Sequence, residues 1–204
     1  MLLIVIHGAR QKKLPELFKP IVDRYYGYFG VEDESAGRLW LPDFVNYFRN
    51  QAHLKVLTYN WSGNLTRVAA SRAGKKLAEI IDRLPEQEKI TIFGKSLGGN
   101  VADFAVRYAS HKNKIKKIIY VAAPHQPKTP QPPDAIRAIN IYSPADNYLD
   151  FANRLLYLGL GMKHLSYAEN IIIPDIRHSQ FSKNIPVTVN NKKIRLYEFY
   201  QTQF

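Results

Sequence analysis

The chain has 204 residues, 46% of them hydrophobic and 23% charged, so it can bury a core without help from a metal or crosslink. It contains no cysteine, which excludes disulfides, thiolate nucleophiles and cysteine-based zinc sites. An excess of 29 Lys+Arg over 17 Asp+Glu gives a formal charge of +12, which would suit an anionic partner. No nucleic-acid-binding motif accompanies the basic clusters, and a compositional bias towards Lys, Asn, Ile and Tyr accounts for most of the charge.

The first residues do not have the pattern of a signal peptide, because the apolar run from Leu2 to Ile6 is short and is followed at once by His7-Gly8. No apolar run approaches the roughly 20 residues of a membrane span. We therefore expect a cytoplasmic protein with one domain over residues 1–204. We expect no cofactor, no metal and no specific nucleic-acid partner, with weak binding to anionic surfaces as an open alternative.

Six short apolar runs predict the strands of a mainly parallel sheet, since continuous apolar runs are typical of strands that are buried on both faces. They cover residues 2–6, 54–59, 89–93, 116–122, 136–142 and 170–173. Helical periodicity lies between them, over residues 14–29, 44–48, 65–81, 101–108 and 148–156. The alternation predicts an α/β fold with helices on both faces of the sheet.

The connections carry further predictions. Residues 29–40 are expected to form a surface excursion, and Asn64 is expected to cap the helix that ends before Pro85. The proline-rich stretch over residues 126–135 is predicted to be a loop. Near the end of the chain, residues 187–189 and 194–200 flank a turn and predict a hairpin.

A glycine-flanked serine joins the third predicted strand to the helix that follows it. Residues 93–99 read Phe-Gly-Lys-Ser-Leu-Gly-Gly, a G-x-S-x-G turn with almost no loop. Such a strand-to-helix turn can hold Ser96 exposed as a nucleophile, with glycines where the two backbones approach. A phosphate-binding loop would need a glycine five residues before Gly94, where Lys89 stands, so we reject that interpretation. A glycine-rich connection with an incidental serine remains the alternative.

The partners of a nucleophilic serine are expected at the carboxyl ends of other strands, where function sits in parallel sheets. Asp146 follows the fifth predicted strand and His178 follows the sixth. A serine needs a base that takes its proton, and the base needs an acid that fixes its tautomer. The chain order Ser96, Asp146, His178 is the order of hydrolases with this type of serine turn.

Other residues compete for both roles. Asp146 could be a simple turn residue, with Asp150 and Asp175 as fallback acids, although Asp150 lies in the next helix and Asp175 precedes the histidine by only three residues. His125 and His164 compete as the base. His125 comes before the acid in the chain, and His164 follows no strand end.

The negative oxygen that develops during acyl transfer needs two backbone N–H donors. Leu97, directly after the serine, is expected to supply one. Ala9 is the best candidate for the other, because Gly8 lets the turn after the first strand approach the site. His7 is expected to support this turn and to take no part in the chemistry.

With these motifs in place, the chain resembles the α/β-hydrolase superfamily, and within it the small bacterial lipases and esterases. The matching stretches are Val5-Ile6-His7-Gly8, Gly94-Lys95-Ser96-Leu97-Gly98-Gly99, Ala123-Pro124-His125, Ile141-Tyr142-Ser143-Pro144-Ala145-Asp146 and His178-Ser179-Gln180-Phe181. The resemblance implies an α/β-hydrolase fold with Ser96, Asp146 and His178 as catalytic triad and with Leu97 and Ala9 as oxyanion donors.

The chain departs from the family pattern in ways that bear on the substrate. Lys95 stands where members commonly have His or Tyr, and Ala122-Ala123-Pro124-His125 replaces Gly-Thr-Pro-His. Where members carry a helical lid, we expect only the proline-rich loop, so we predict short or medium acyl groups. Lys95, Arg10 and His125 are candidate substrate contacts, and residues 29–40 could fold over the site.

The leading hypothesis is a serine hydrolase that cleaves carboxylic esters. A thioesterase, amidase or acyltransferase would use the same triad. A non-catalytic, hydrolase-like scaffold that binds an anionic partner is the alternative from another class.

Overall fold

The computed structural model describes residues 1–8, 36–63, 66–125, 131–157 and 162–204. Its six main strands are β1 (Leu2–Ile6), β2 (Lys55–Tyr59), β3 (Ile90–Lys95), β4 (Ile115–Val121), β5 (Arg137–Tyr142) and β6 (Glu169–Ile172). They form a sheet in the order β2-β1-β3-β4-β5-β6, in which every neighbouring pair is parallel. The predicted parallel sheet of six strands is confirmed.

Five α-helices accompany the sheet in the described part of the chain: α1 (Ala36–Arg49), α2 (Arg67–Arg83), α3 (Leu97–Tyr108), α4 (Asn147–Tyr157) and α5 (Leu196–Thr202). Residues Lys112–Lys114 and His178–Ser182 form short 3₁₀ turns. The strands β7 (Pro186–Val189) and β8 (Lys192–Arg195) pair antiparallel, which confirms the predicted C-terminal hairpin. No helix of the described residues is long and apolar enough to cross a membrane.

The sheet has a hydrophobic core on each face, because successive side chains of a strand point to opposite sides. On β1, Ile4 packs into the core that contains the buried faces of α2 and α3. Its neighbours Leu3 and Val5 pack into the other core, with aromatic residues of α1 and α5 and with the hairpin. The prediction of helices on both faces is confirmed.

Aromatic packing explains two differences from the predicted elements. The expected excursion over residues 29–40 is wrong from Ala36 onward, since α1 begins there. The ring of Phe44, on that helix, packs against the ring of Phe93 at a centroid distance of 4.7 Å. The strand predicted for residues 194–200 ends at Arg195, and α5 follows. The helical conformation brings Tyr200 against Phe93, at a ring distance of 5.2 Å.

The helix α2 begins later than the sequence suggested. Thr66 is its N-cap, and the Thr66 side chain accepts a hydrogen bond from the Ala69 N–H. The predicted cap, Asn64, lies outside the described residues. So do the helix predicted for residues 14–29 and the loop residues 126–130.

Candidate active site

Ser96 stands between β3 and α3, on the turn that the sequence singled out. The expectation of an exposed serine is wrong, since Ser96 is only 4% exposed. Its backbone has φ 51° and ψ −130°, a conformation that non-glycine residues rarely adopt and that costs about 1–3 kcal/mol. Two hydrogen bonds hold the turn: Ser96 N–H donates to the Val121 carbonyl at 2.8 Å, and Gly99 N–H donates to the Ser96 carbonyl at 2.9 Å. The strain is therefore maintained by the packed ends of two strands and a helix.

Glycines are required here because backbones approach closely. A Cβ on Gly98 would lie 2.5 Å from the Ile6 carbonyl oxygen, and a Cβ on Gly94 would lie 2.8 Å from the Gly98 carbonyl oxygen. Neither glycine has positive φ, so close approach and not φ is the reason for both. A Cβ on Gly8 would lie 2.8 Å from the Ser96 Cβ, which places the end of β1 directly beside the serine.

Asp146 and His178 are brought together, as predicted, although they are 32 residues apart. The Asp146 carboxylate is fully buried, and its Oδ2 lies 2.9 Å from His178 Nδ1. Its other oxygen, Oδ1, accepts a hydrogen bond from the Leu149 N–H in the first turn of α4. Because a carboxylate only accepts, Nδ1 of His178 carries the proton and Nε2 has the lone pair of a base.

The surroundings of His178 leave it accessible while fixing its position. It begins the 3₁₀ turn His178–Ser182, which we call the histidine turn. Its side chain is 18% exposed, and its ring packs against Tyr148 at a centroid distance of 4.3 Å. A partly exposed imidazole that is oriented by a carboxylate can perform general base chemistry.

The competing candidates have other environments. Asp150 forms an ion pair of 2.8 Å with Lys163. Asp175 and His164 are exposed. Of the three candidate acids, Asp146 is therefore the one whose carboxylate is seen to contact His178.

The turn after β1 is supported by His7, as the sequence indicated. Trp61 N–H donates to His7 Nε2 at 3.3 Å, so Nδ1 carries the proton and donates to the Gly8 carbonyl at 2.7 Å. The Trp61 indole donates to the His7 carbonyl at 2.8 Å and stacks on the imidazole. His7 thus orients the Gly8 peptide beside Ser96. Ala9 and Arg10 lie outside the described residues, and their roles stay predictions.

Lys95, a predicted substrate contact, points into the protein. Its side chain is only 7% exposed, and its ammonium donates to the hydroxyl of Ser182 at the end of the histidine turn. Burial lowers the pKa of Lys95 from 10.5 to about 8, while the Asp146 carboxylate acts in the opposite direction. Contact of Lys95 with a substrate stays a prediction, and its observed neighbours belong to the protein. No pattern in the sequence signalled the partnership with Ser182.

His125, the third predicted substrate contact, is fully buried after β4. Its Nδ1 lies 3.7 Å from Asp103 Oδ2, and its backbone pairs with Met162. Asp103 accepts a hydrogen bond of 2.5 Å from the Tyr120 hydroxyl, and burial together with this carboxylate raises the pKa of Tyr120 well above its usual range. A charged residue among the apolar positions of α3 was the sequence signal for this cluster. Substrate contact by His125 also stays a prediction.

Among the described residues, no three His, Asp or Glu side chains converge in a group that could hold a metal ion.

Comparison with known proteins supports the fold. Residues 65–155, which include Ser96 and Asp146, match a family model described as a PGAP1-like α/β domain. The chain superposes with a TM-score of 0.52, at 12% identity and over 98% of both chains, on a Xanthomonas campestris pv. campestris protein that is classed as a hydrolase of the α/β superfamily. A Listeria innocua protein superposes with a TM-score of 0.47, at 13% identity, over 90% of this chain and 88% of its own. A search of curated proteins finds no match.

These findings define the class. A parallel sheet of six strands, with helices on both faces and a serine turn after β3, is the α/β-hydrolase fold. The chain therefore has an α/β-hydrolase-like fold.

Proposed function

We propose that the protein is a serine hydrolase that cleaves carboxylic esters through an acyl-enzyme on Ser96. The observation that carries the proposal is the hydrogen bond of 2.9 Å between Asp146 and His178, in a fold that also holds Ser96 on a positive-φ turn. This pairing supports the proposal, because Ser96, Asp146 and His178 follow strand ends in the chain order of nucleophile, acid and base in such hydrolases.

In the proposed reaction, Nε2 of His178 accepts the proton of the Ser96 hydroxyl as Oγ attacks the ester carbonyl carbon. The carbonyl π electrons move to oxygen, and the resulting oxyanion accepts hydrogen bonds from the N–H groups of Leu97 and Ala9. The C–O bond to the alcohol then breaks, and the alcohol leaves with the proton from His178. Water repeats the sequence on the acyl-enzyme, which releases the acid and restores Ser96.

The electrostatics at Ser96 favour this reaction. Leu97 begins α3, so its N–H lies at the positive end of a helix of 12 residues, beside the serine. Gly8 lies against Ser96 from the other side, which directs the turn after β1 towards the same region. We propose short or medium acyl groups as substrates, because the sequence provides a proline-rich loop where related lipases have a helical lid.

The decisive test is covalent labelling. A fluorophosphonate reacts with the activated serine of such hydrolases, so we expect one label per chain, at Ser96, together with hydrolysis of p-nitrophenyl acetate or butyrate. The variant Ser96→Ala should lose both. Ser71→Ala is the matched control, because the Ser71 hydroxyl pairs with Tyr108 on α3, and this variant should keep both. A wild-type protein that takes up no label, or hydrolysis that survives Ser96→Ala, would overturn the proposal.

The acyl group and the type of bond need a second experiment. Rates with p-nitrophenyl esters from acetate to palmitate should fall beyond medium chain lengths, and a preference for palmitate would contradict the argument from the lid. Matched thioester and anilide substrates distinguish an esterase from a thioesterase or amidase with the same three residues.

A further inference from the structure

We propose that Lys95 is a positioning residue of the site: its buried ammonium anchors the histidine turn to the nucleophile strand and places a positive charge near the Asp146 carboxylate that orients His178. The inference rests on the proposed function and adds a fourth residue to it.

The anchoring contact joins two elements that the chemistry must keep in register. Lys95 is the last residue of β3 and precedes the nucleophile, and its Nζ donates to the hydroxyl of Ser182, the last residue of the histidine turn. Two tyrosine hydroxyls of α5 hold the same turn from the other side, since Tyr197 donates to the Ser182 carbonyl at 2.6 Å and Tyr200 donates to the Phe181 carbonyl at 3.0 Å. The lysine contact ties the turn to the strand that carries the serine.

Burying a lysine ammonium for this contact carries a large desolvation penalty. Lysine is almost never fully buried unless it is paired, and a neutral donor could bond to a hydroxyl at a much smaller desolvation cost. The Lys95 side chain is 7% exposed and the Asp146 side chain is 0% exposed, and the two charges attract each other. The positive charge itself is therefore the property that a purely structural role does not explain.

The effect of this charge on His178 has a definite sign. Asp146 stabilises the protonated imidazole of His178, and a cation near Asp146 offsets part of that stabilisation. Removal of the Lys95 charge is therefore expected to favour the protonated imidazole. As a general scale, two unit charges about 10 Å apart in a medium with an effective dielectric constant of about 20 interact by about one pKa unit, and charges farther apart interact by less.

Other titratable groups also surround this cluster. On the described helices that pack against Lys95, Asp146 and His178, these groups are Tyr148 of α4, Tyr197 and Tyr200 of α5, and Asp43 of α1. The exposed residues Asp175 and Arg177 precede the histidine turn. Burial, and secondly Asp43, raise the pKa of Tyr197 to about 12, and burial raises that of Tyr200 well above its usual range. Both tyrosines stay neutral near pH 7, so Lys95 is the buried cation in this set.

The test separates the charge from the hydrogen bond with paired variants. Lys95→Gln keeps a donor for Ser182 and removes the charge, Lys95→Met removes both, and Ser182→Ala removes the bond and keeps the charge. For each folded variant, the pH dependence of kcat/KM for p-nitrophenyl acetate and the NMR titration of the His178 imidazole would be measured.

We expect the acid limb of kcat/KM and the imidazole titration to move up by about one pH unit in Lys95→Gln and Lys95→Met. In Ser182→Ala both should stay within about 0.3 units, while kcat falls. An unchanged imidazole titration in Lys95→Gln would overturn the inference, and so would an equal upward movement in Ser182→Ala.

The two proposals fail in distinguishable ways. If wild-type protein takes up no fluorophosphonate, the hydrolase proposal fails, while the imidazole titration still tests the coupling of Lys95 to His178. If the wild type is labelled and Lys95→Gln leaves the titration unchanged, the role of Lys95 fails and the hydrolase proposal stands.

Discussion

Replacing Lys95 with methionine should change how the stability of the protein depends on pH. Burial lowers the pKa of Lys95 from 10.5 to about 8. The unfolded chain therefore holds this proton up to a higher pH than the folded chain does. Between pH 8 and 10.5 the unfolded state binds more protons, so the free energy of unfolding rises with pH. Below pH 8 both states are protonated, and the folded state bears the full cost of a buried ammonium.

The magnitude follows from the two pKa values. Their difference of about 2.5, at about 1.4 kcal/mol for each pKa unit, corresponds to about 3 kcal/mol. Most of this, about 2.5 kcal/mol, is gained between pH 7 and pH 10. Lys95→Met has no ammonium at this position and should lack this contribution. The other groups that titrate in this range are common to both proteins, so the difference between them isolates Lys95.

The assay is urea unfolding of wild type and Lys95→Met at pH 7, 8, 9 and 10, followed by tryptophan fluorescence, with Ser182→Ala as the control. Wild type and Ser182→Ala should gain stability relative to Lys95→Met as the pH rises. At pH 7, the methionine variant should be at least as stable as wild type, since relief of the buried charge offsets the lost hydrogen bond. Parallel pH profiles for wild type and Lys95→Met would refute the reasoning.

Three further outcomes are expected at the site. Asp146→Asn should lower kcat by about 10³-fold or more, because a neutral amide neither fixes the tautomer of His178 nor stabilises its protonated form. Circular dichroism should show an intact fold, and an active variant would exclude Asp146 as the acid. Gly8→Ala should reduce kcat/KM by about tenfold or more, since its Cβ would lie 2.8 Å from the Ser96 Cβ, and steady-state kinetics check this. Tyr197→Phe should lower the free energy of unfolding by about 1–3 kcal/mol in urea, because the carbonyl at the end of the histidine turn loses its 2.6 Å donor. An unchanged stability would show that this carbonyl finds another partner.

Local patterns in the sequence determined the fold class and the candidate triad. Continuous apolar runs predicted all six strands of the sheet, and strand-end position singled out Ser96, Asp146 and His178. The structure joins Asp146 and His178 as this argument required. The logic succeeds because parallel strands place their carboxyl ends at one edge of a sheet, so residues far apart in sequence need only the right position along each strand.

Other local signals were ambiguous. The alternating apolar residues after Arg195 fit a strand, yet they form α5, because Tyr197 and Tyr200 reach the aromatic core of α1 and β3 only from a helix. Thr66 caps α2, and the sequence did not single it out, because several polar residues before this helix suit an N-cap equally well.

The sequence by itself determined which residue precedes the nucleophile, but not which way it faces. From the sequence, Lys95 was a candidate substrate contact at the mouth of the site, with a solvated surface position as the alternative. Only the tertiary structure turned it inward, since alternation along β3 places it on the same face as Phe93, towards Ser182 and Asp146. The partners of the buried Lys95 charge, Ser182 and Asp146, lie on segments that approach β3 only in the folded protein, so no local sequence pattern predicts these contacts.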